Sequence, residues 1–184
     1  MSAPASHGAG APSAWVQRFA PLVAAGGQVL DLACGRGRHS RLLAMQGCVV
    51  TAVDRDPAAL DALSAVAGVT ACRFDLEAGA AWPWVVASFD AVVVTNYLFR
   101  PGFDTLCALL RPGGVLIYET FMAGNARFGK PSNPDFLLAP GELLRLTAEA
   151  FTPLAFEQGE VRAPAPAMVQ RLCAIKGEAM GAIG

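Results

Sequence analysis

Asp31, Gly35, Gly37, Asp54 and Asp75 have the residue types and the spacing to hold a small nucleoside-bearing ligand. Asp31 sits near the end of the apolar run Gln28 to Ala33, just before the turn Cys34-Gly35-Arg36-Gly37. Two glycines in that turn remove Cβ atoms where a ligand has to approach the backbone. Leu42, Leu43 and Met45 then carry a helical pattern that stops at Gly47. The unpaired N–H groups at the start of such a helix suit a carboxylate or a phosphate. Asp54 stands 23 positions after Asp31 (54 − 31), closing a second apolar run, Val49 to Val53. A carboxylate there offers paired acceptors to two neighbouring hydroxyls, as on a ribose. Strand, glycine turn and helix in this order make a nucleotide-binding crossover unit.

Two ligands fit that unit. Gly35 to Ser40 nearly matches the dinucleotide fingerprint G-x-G-x-x-G, with Ser40 in place of the third glycine. Asp31 shifts the balance, because an acid beside the glycine turn makes sense for a ligand that carries an ammonium group. The stretch resembles motif I of the class I S-adenosylmethionine-dependent methyltransferases, D/E-x-G-x-G-x-G, here Asp31, Ala33, Gly35 and Gly37. Ala33 departs from the pattern and demands ordinary backbone angles at that position. The resemblance runs from Val29 to Lys176 through Asp54, Asp75, Phe89-Asp90-Ala91-Val92-Val93 and Leu110-Arg111-Pro112-Gly113-Gly114-Val115-Leu116, in the family's order. Within the family the chain is similar to the small stand-alone bacterial enzymes of the tellurite-resistance type. This implies S-adenosyl-L-methionine as cofactor, held by Asp31, Ala33, Cys34, Gly35, Gly37, Asp54, Arg55, Asp75, Leu76 and Asn96. Asp75 would accept from the adenine amino group, with Phe74 and Leu76 near the ring.

The elements that must position these residues alternate along the chain. Trp15, Val16, Phe19, Leu22 and Val23 predict a helix over 13–25, kinked or split at Pro21. Strands are expected at 28–33, 49–53, 69–74, 89–95, 115–119, 152–157 and 170–176. Helices follow the first, second and fourth of these, the second of them running from Pro57 toward Gly68 with Asp56 as N-cap. Residues 77–88, with Trp82-Pro83-Trp84, read as a compact loop. Alternation implies a doubly wound α/β sheet, and the last two strands, with no helix between them, an antiparallel hairpin. That is similar to the Rossmann-like methyltransferase fold, a mostly parallel seven-stranded sheet of order 3-2-1-4-5-7-6. One domain over 13–176 is expected, with a disordered lead-in at 1–12 and a disordered tail at 177–184.

Bulk properties narrow the partners. A net charge of −1 leaves no electrostatic footprint for nucleic acid. The hydrophobic fraction is 54%, yet no run of about 18 residues is apolar without interruption, so no membrane span is expected. The N-terminus has no basic region followed by an apolar one, and the expectation is a cytoplasmic protein, monomeric or homodimeric. The Arg-rich, Lys-poor composition fits a bacterial source. The five cysteines have no C-x-x-C spacing and there are two histidines, so no metal site is expected.

For chemistry near the transferable methyl, the candidates follow the fourth and fifth strands: Tyr97 and Glu119 as catalytic residues, with Asn96, Arg100 and Thr120 beside them. Glu119 is the stronger candidate for a base, since an acid ending an apolar strand is costly unless paired or used. His39 reads as a helix-start residue or a partner of the cofactor carboxylate. Thr120 to Ala139 lacks any periodicity and is too long for an ordinary connection, which predicts a lid over the pocket. Arg100, Asn125, Arg127 and Lys130 would line it, and that cationic lid points to a small anionic or readily ionised acceptor. Two other classes fit parts of the sequence. One is an NAD(P)-dependent oxidoreductase using Gly35, Gly37 and Asp54. The other is a non-catalytic binding subunit that keeps the methyltransferase fold.

Overall fold

The computed structural model of the chain describes residues 10–177. Seven strands form one sheet: β1 (Gln28–Leu32), β2 (Val49–Asp54), β3 (Val69–Arg73), β4 (Phe89–Thr95), β5 (Leu110–Phe121), β6 (Phe151–Val161) and β7 (Ala167–Lys176). Their order is β3-β2-β1-β4-β5-β7-β6, with β1 to β5 parallel and β7 antiparallel to both of its neighbours. Five helices accompany them: α1 (Ala14–Phe19), α2 (Arg38–Met45), α3 (Pro57–Asp61), α4 (Phe103–Leu109) and α5 (Glu142–Thr147). The doubly wound fold and the strand order expected from the sequence are therefore present. Among the described residues, no helix is long and apolar enough to cross a membrane.

The central strands are apolar on both sides because helices and loops cover both faces. On one face Leu30, Leu32, Val92, Val94, Leu116 and Tyr118 pack with Phe103, Leu106 and Leu109 of α4. On the other, Val29, Val50, Ala91, Val93 and Ile117 pack with Leu43 of α2 and with Trp15 and Val16 of α1. Ser13 caps α1 through its hydroxyl, and Trp15 donates its indole N–H to Leu172 O. Pro21 sits in a 3-10 turn (Ala20–Leu22) that continues α1, as its ring requires.

Several boundaries differ from expectation for physical reasons. α3 stops at Asp61; Leu63 is buried all the same, carried there by turns instead of a continued helix. β5 begins at Leu110, since Arg111 to Gly114 join the strand through an irregularity opposite Phe89 to Ala91. The terminal hairpin is also longer than its apolar runs, because Gln158, Gly159 and Glu160 keep pairing with β7 on backbone hydrogen bonds that need no apolar side chain. Of the disordered ends expected at 1–12 and 177–184, residues 1–9 and 178–184 lie outside the described residues, while Ala11 O and Pro12 O accept from Arg38 and Gln17 and Gly177 N donates to Ala150 O.

Candidate functional site

A cavity of about 710 Å³ opens over the C-terminal ends of the parallel strands. Ala33 enters it from β1, Asp54 and Arg55 from β2, and Asn96, Tyr97 and Leu98 from β4. The strand order reverses between β1 and β4, and an open α/β sheet holds its ligand at that point. Phe74, Asp75, Leu76 and Glu77 follow β3 and line the same cavity, and Thr120 and Phe121 line it from β5. Residues 130–133 and Phe136 form its roof.

Asp54 joins the glycine turn to the second strand. Its Oδ2 accepts from Gly35 N at 2.8 Å and its Oδ1 from Asp56 N at 2.9 Å. Each oxygen keeps a lone pair, so a cavity-lining carboxylate that braces the turn can still accept from two hydroxyls. Gly35 and Gly37 both have positive φ, at 54° and 73°. A Cβ on Gly37 would run into the side chain of Leu63, so this glycine admits close packing against the α3 region, away from the cavity wall. Ala33 has φ 52°, correcting the ordinary angles expected there: the turn forces the left-handed region even with a Cβ present. Asn96, with φ 55°, takes the same conformation at the end of β4.

Asp31 does not line the cavity. It is 1% exposed, its Oδ2 accepts from Ser40 Oγ at 2.5 Å, and its Oδ1 has no hydrogen-bond partner. Burial pushes its pKa up to about 6, against the pull of Ser40 and Arg38. Cys34 also lies beneath the turn, buried, with Sγ against Gly35 O. His39 is fully engaged: Nε2 accepts from Ser13 N at 3.1 Å, so Nδ1 carries the proton and faces Thr95 Oγ1 at 3.3 Å. Burial, helped by Arg38, pushes its pKa down to about 3. A neutral histidine in the first turn of α2, tying the start of α1 to β4, fits the helix-start alternative and not the contact with a cofactor carboxylate.

Glu119 is not available as a base. It is absent from the cavity wall, and its Oε2 meets Arg171 Nε at 2.5 Å across the β5–β7 pair. Tyr97 is on the wall, and its pKa is driven well above the usual phenol value by burial and by the nearby Glu77 carboxylate. Asp75 accepts from Glu77 N at 3.0 Å in a tight Asx turn that aims Phe74, Leu76 and Glu77 at one region. Glu77 lines the cavity without having been expected there, the Asp75 turn being its one local signal, whereas Ser132, Asn133 and Phe136 belong to the segment 120–139 expected as a lid.

The segment 121–138 is a roof already in place. Asn125, 1% exposed, donates to Pro131 O at 3.0 Å and accepts from Met168 N at 3.0 Å. Met122 bridges Leu138. Arg100 donates to Asp135 O at 2.7 Å, to Leu137 O at 2.9 Å and to Glu142 at 2.6 Å. Arg127 pairs with Glu160 at 2.8 Å and stacks on Phe128, which corrects its expected place over the pocket. Lys130 is the lysine that reaches the cavity; Lys176 is spent on Cys107 O and Leu110 O. Arg100→Ala should therefore free the roof, at a cost of about 1.5–3 kcal/mol for lost charged hydrogen bonds. Limited proteolysis should then cut within 128–134 several-fold faster than in the wild-type chain. Equal cleavage would show that Arg100 does not hold the roof.

Residues 29–114 match the model of a methyltransferase domain family. A ubiquinone biosynthesis O-methyltransferase of Methylocella silvestris is 34% identical over 110 residues, 56% of this chain and 43% of that protein. The chain thus matches less than half the length of that curated relative. Among solved structures, TehB from Haemophilus influenzae superposes with a TM-score of 0.72 at 20% identity, covering 88% of this chain and 61% of the other. A TehB-like SAM-dependent methyltransferase from Corynebacterium glutamicum superposes with a TM-score of 0.65 at 18% identity, covering 89% and 87%. At these identities the likeness is one of fold.

Proposed function

We propose that this chain, whose residues 29–114 match the model of a methyltransferase domain, transfers a methyl group from S-adenosyl-L-methionine to a small acceptor that is anionic or readily ionised. The observation that carries the reading is Asp54: a cavity-lining carboxylate, held by Gly35 N and Asp56 N, at the strand end where a ribose is bound. Asp75 stands beside Phe74 and Leu76 at the end suited to an adenine ring and its amino group. The buried Asp31, with one oxygen lacking a donor, supplies negative charge beneath the turn, where the methionine ammonium would lie. The cofactor brings a methyl group already activated on a sulfonium, so the protein's task is to orient the acceptor and exclude water.

The acceptor's ionisation follows from what the cavity lacks. Glu119 is committed to Arg171, His39 is held away from the cavity, and burial and the Glu77 carboxylate push the Tyr97 phenol up. With its bases engaged, the site favours acceptors that arrive as oxyanions or thiolates, and Lys130 on the roof supplies the matching charge. The name of the Methylocella relative supports an oxygen acceptor. A screen with radiolabelled methyl donor over carboxylates, phenols, thiols and amines tests this. Label should pass to ionisable oxygen or sulfur compounds; transfer confined to amines would overturn the anionic reading.

A further inference from the structure

Resting on that reading, we propose that the acceptor is an aromatic carboxylate, its anion held by Lys130 and its ring by the aromatic wall beside it. The cavity wall carries two kinds of chemistry. Arg55 follows Asp54 directly and lines the cavity together with the residues assigned to the nucleoside, Asp54, Phe74, Asp75 and Leu76. The same wall joins Tyr97, Phe121 and Phe136 to Lys130, Ser132 and Asn133. Three rings with one ammonium group suit a flat apolar body that carries a single negative charge. A volume of about 710 Å³ leaves room for such a molecule beside the donor.

The roof holds the segment carrying Lys130 in place. Asn125 holds Pro131 O, the residue after Lys130, so the lysine's backbone is placed by a buried amide. Phe136 is 51% exposed although it lines the cavity, a cost that contact with an acceptor ring would recover. Lys130 is the cavity-lining cation of the roof and can meet a carboxylate directly.

The experiment measures binding of benzoate, phenylacetate, benzamide and benzylamine to the full chain saturated with S-adenosylhomocysteine. Wild type, Lys130→Met and Lys130→Arg are compared by titration calorimetry, and S-adenosylhomocysteine is titrated alone into each. The carboxylates should bind wild type, weaken by about tenfold or more in Lys130→Met, and recover to within about threefold in Lys130→Arg. Benzamide and benzylamine should bind at least about tenfold more weakly than benzoate. Carboxylate binding that is absent or insensitive to Lys130→Met, or preferred binding of benzylamine, would overturn the inference and leave the cofactor reading standing. Failure of wild type to bind S-adenosylhomocysteine would instead bring down the reading on which the inference rests.

Discussion

Asp31→Asn should stabilise the ligand-free chain at pH 7.5 by about 1–2 kcal/mol and weaken S-adenosylhomocysteine by about tenfold. The buried carboxyl holds its proton to about pH 6, whereas the unfolded chain releases it near 3.8. Between those values the folded state binds more protons, so stability falls as pH rises through that window. The full loss is about 3 kcal/mol above pH 6. Asparagine removes the charge, though its amide N–H groups inherit the unpartnered position of Oδ1 and return part of the gain. Denaturant unfolding at pH 4 and 7.5, with calorimetric titration of each form, reads both effects. Opposite signs for stability and binding would mean the acid is kept for a cationic ligand group. Lower stability with unchanged affinity would make Asp31 no more than an anchor for Ser40.

Asp54→Ala should weaken S-adenosylhomocysteine by about 1.5–3 kcal/mol, roughly 10- to 150-fold, the range for hydrogen bonds to a charged group. Part of that loss passes through the turn, because Gly35 N and Asp56 N both donate to this carboxylate. Asp54→Asn separates the two contributions: one amide oxygen can keep Gly35 in place, but the paired acceptors for two hydroxyls are gone. Asparagine should therefore recover most of the stability and little of the affinity. Normal binding by the alanine variant would remove Asp54 from the site.

Local chemistry was legible in the sequence wherever a residue's role depends on its neighbours in the chain. Asp54 could be read as a strand-end acid and Asp56-Pro57 as a helix start, because an apolar run and a cap are short-range patterns. The doubly wound sheet and its antiparallel hairpin followed from alternation plus a terminal pair without a helix, whereas the strand order came from the resemblance to the class I methyltransferases. Roles fixed by distant partners were not legible. Glu119 read as a candidate base because Arg171 lies 52 residues away, and Arg127 read as a pocket cation because Glu160 lies 33 residues away. Arg100 likewise pins the roof through backbone carbonyls at Asp135 and Leu137 that no side-chain pattern announces. Ala33 misled for another reason: the geometry of the turn outweighs the preference of its residue.

The most direct test of the central claim is a calorimetric titration of the full chain with S-adenosylmethionine, S-adenosylhomocysteine, NAD and NADP. Both adenosyl compounds should bind saturably, with binding strongly weakened in Asp54→Ala, and neither dinucleotide should bind. Binding of NAD or NADP with no response to the adenosyl compounds would contradict it.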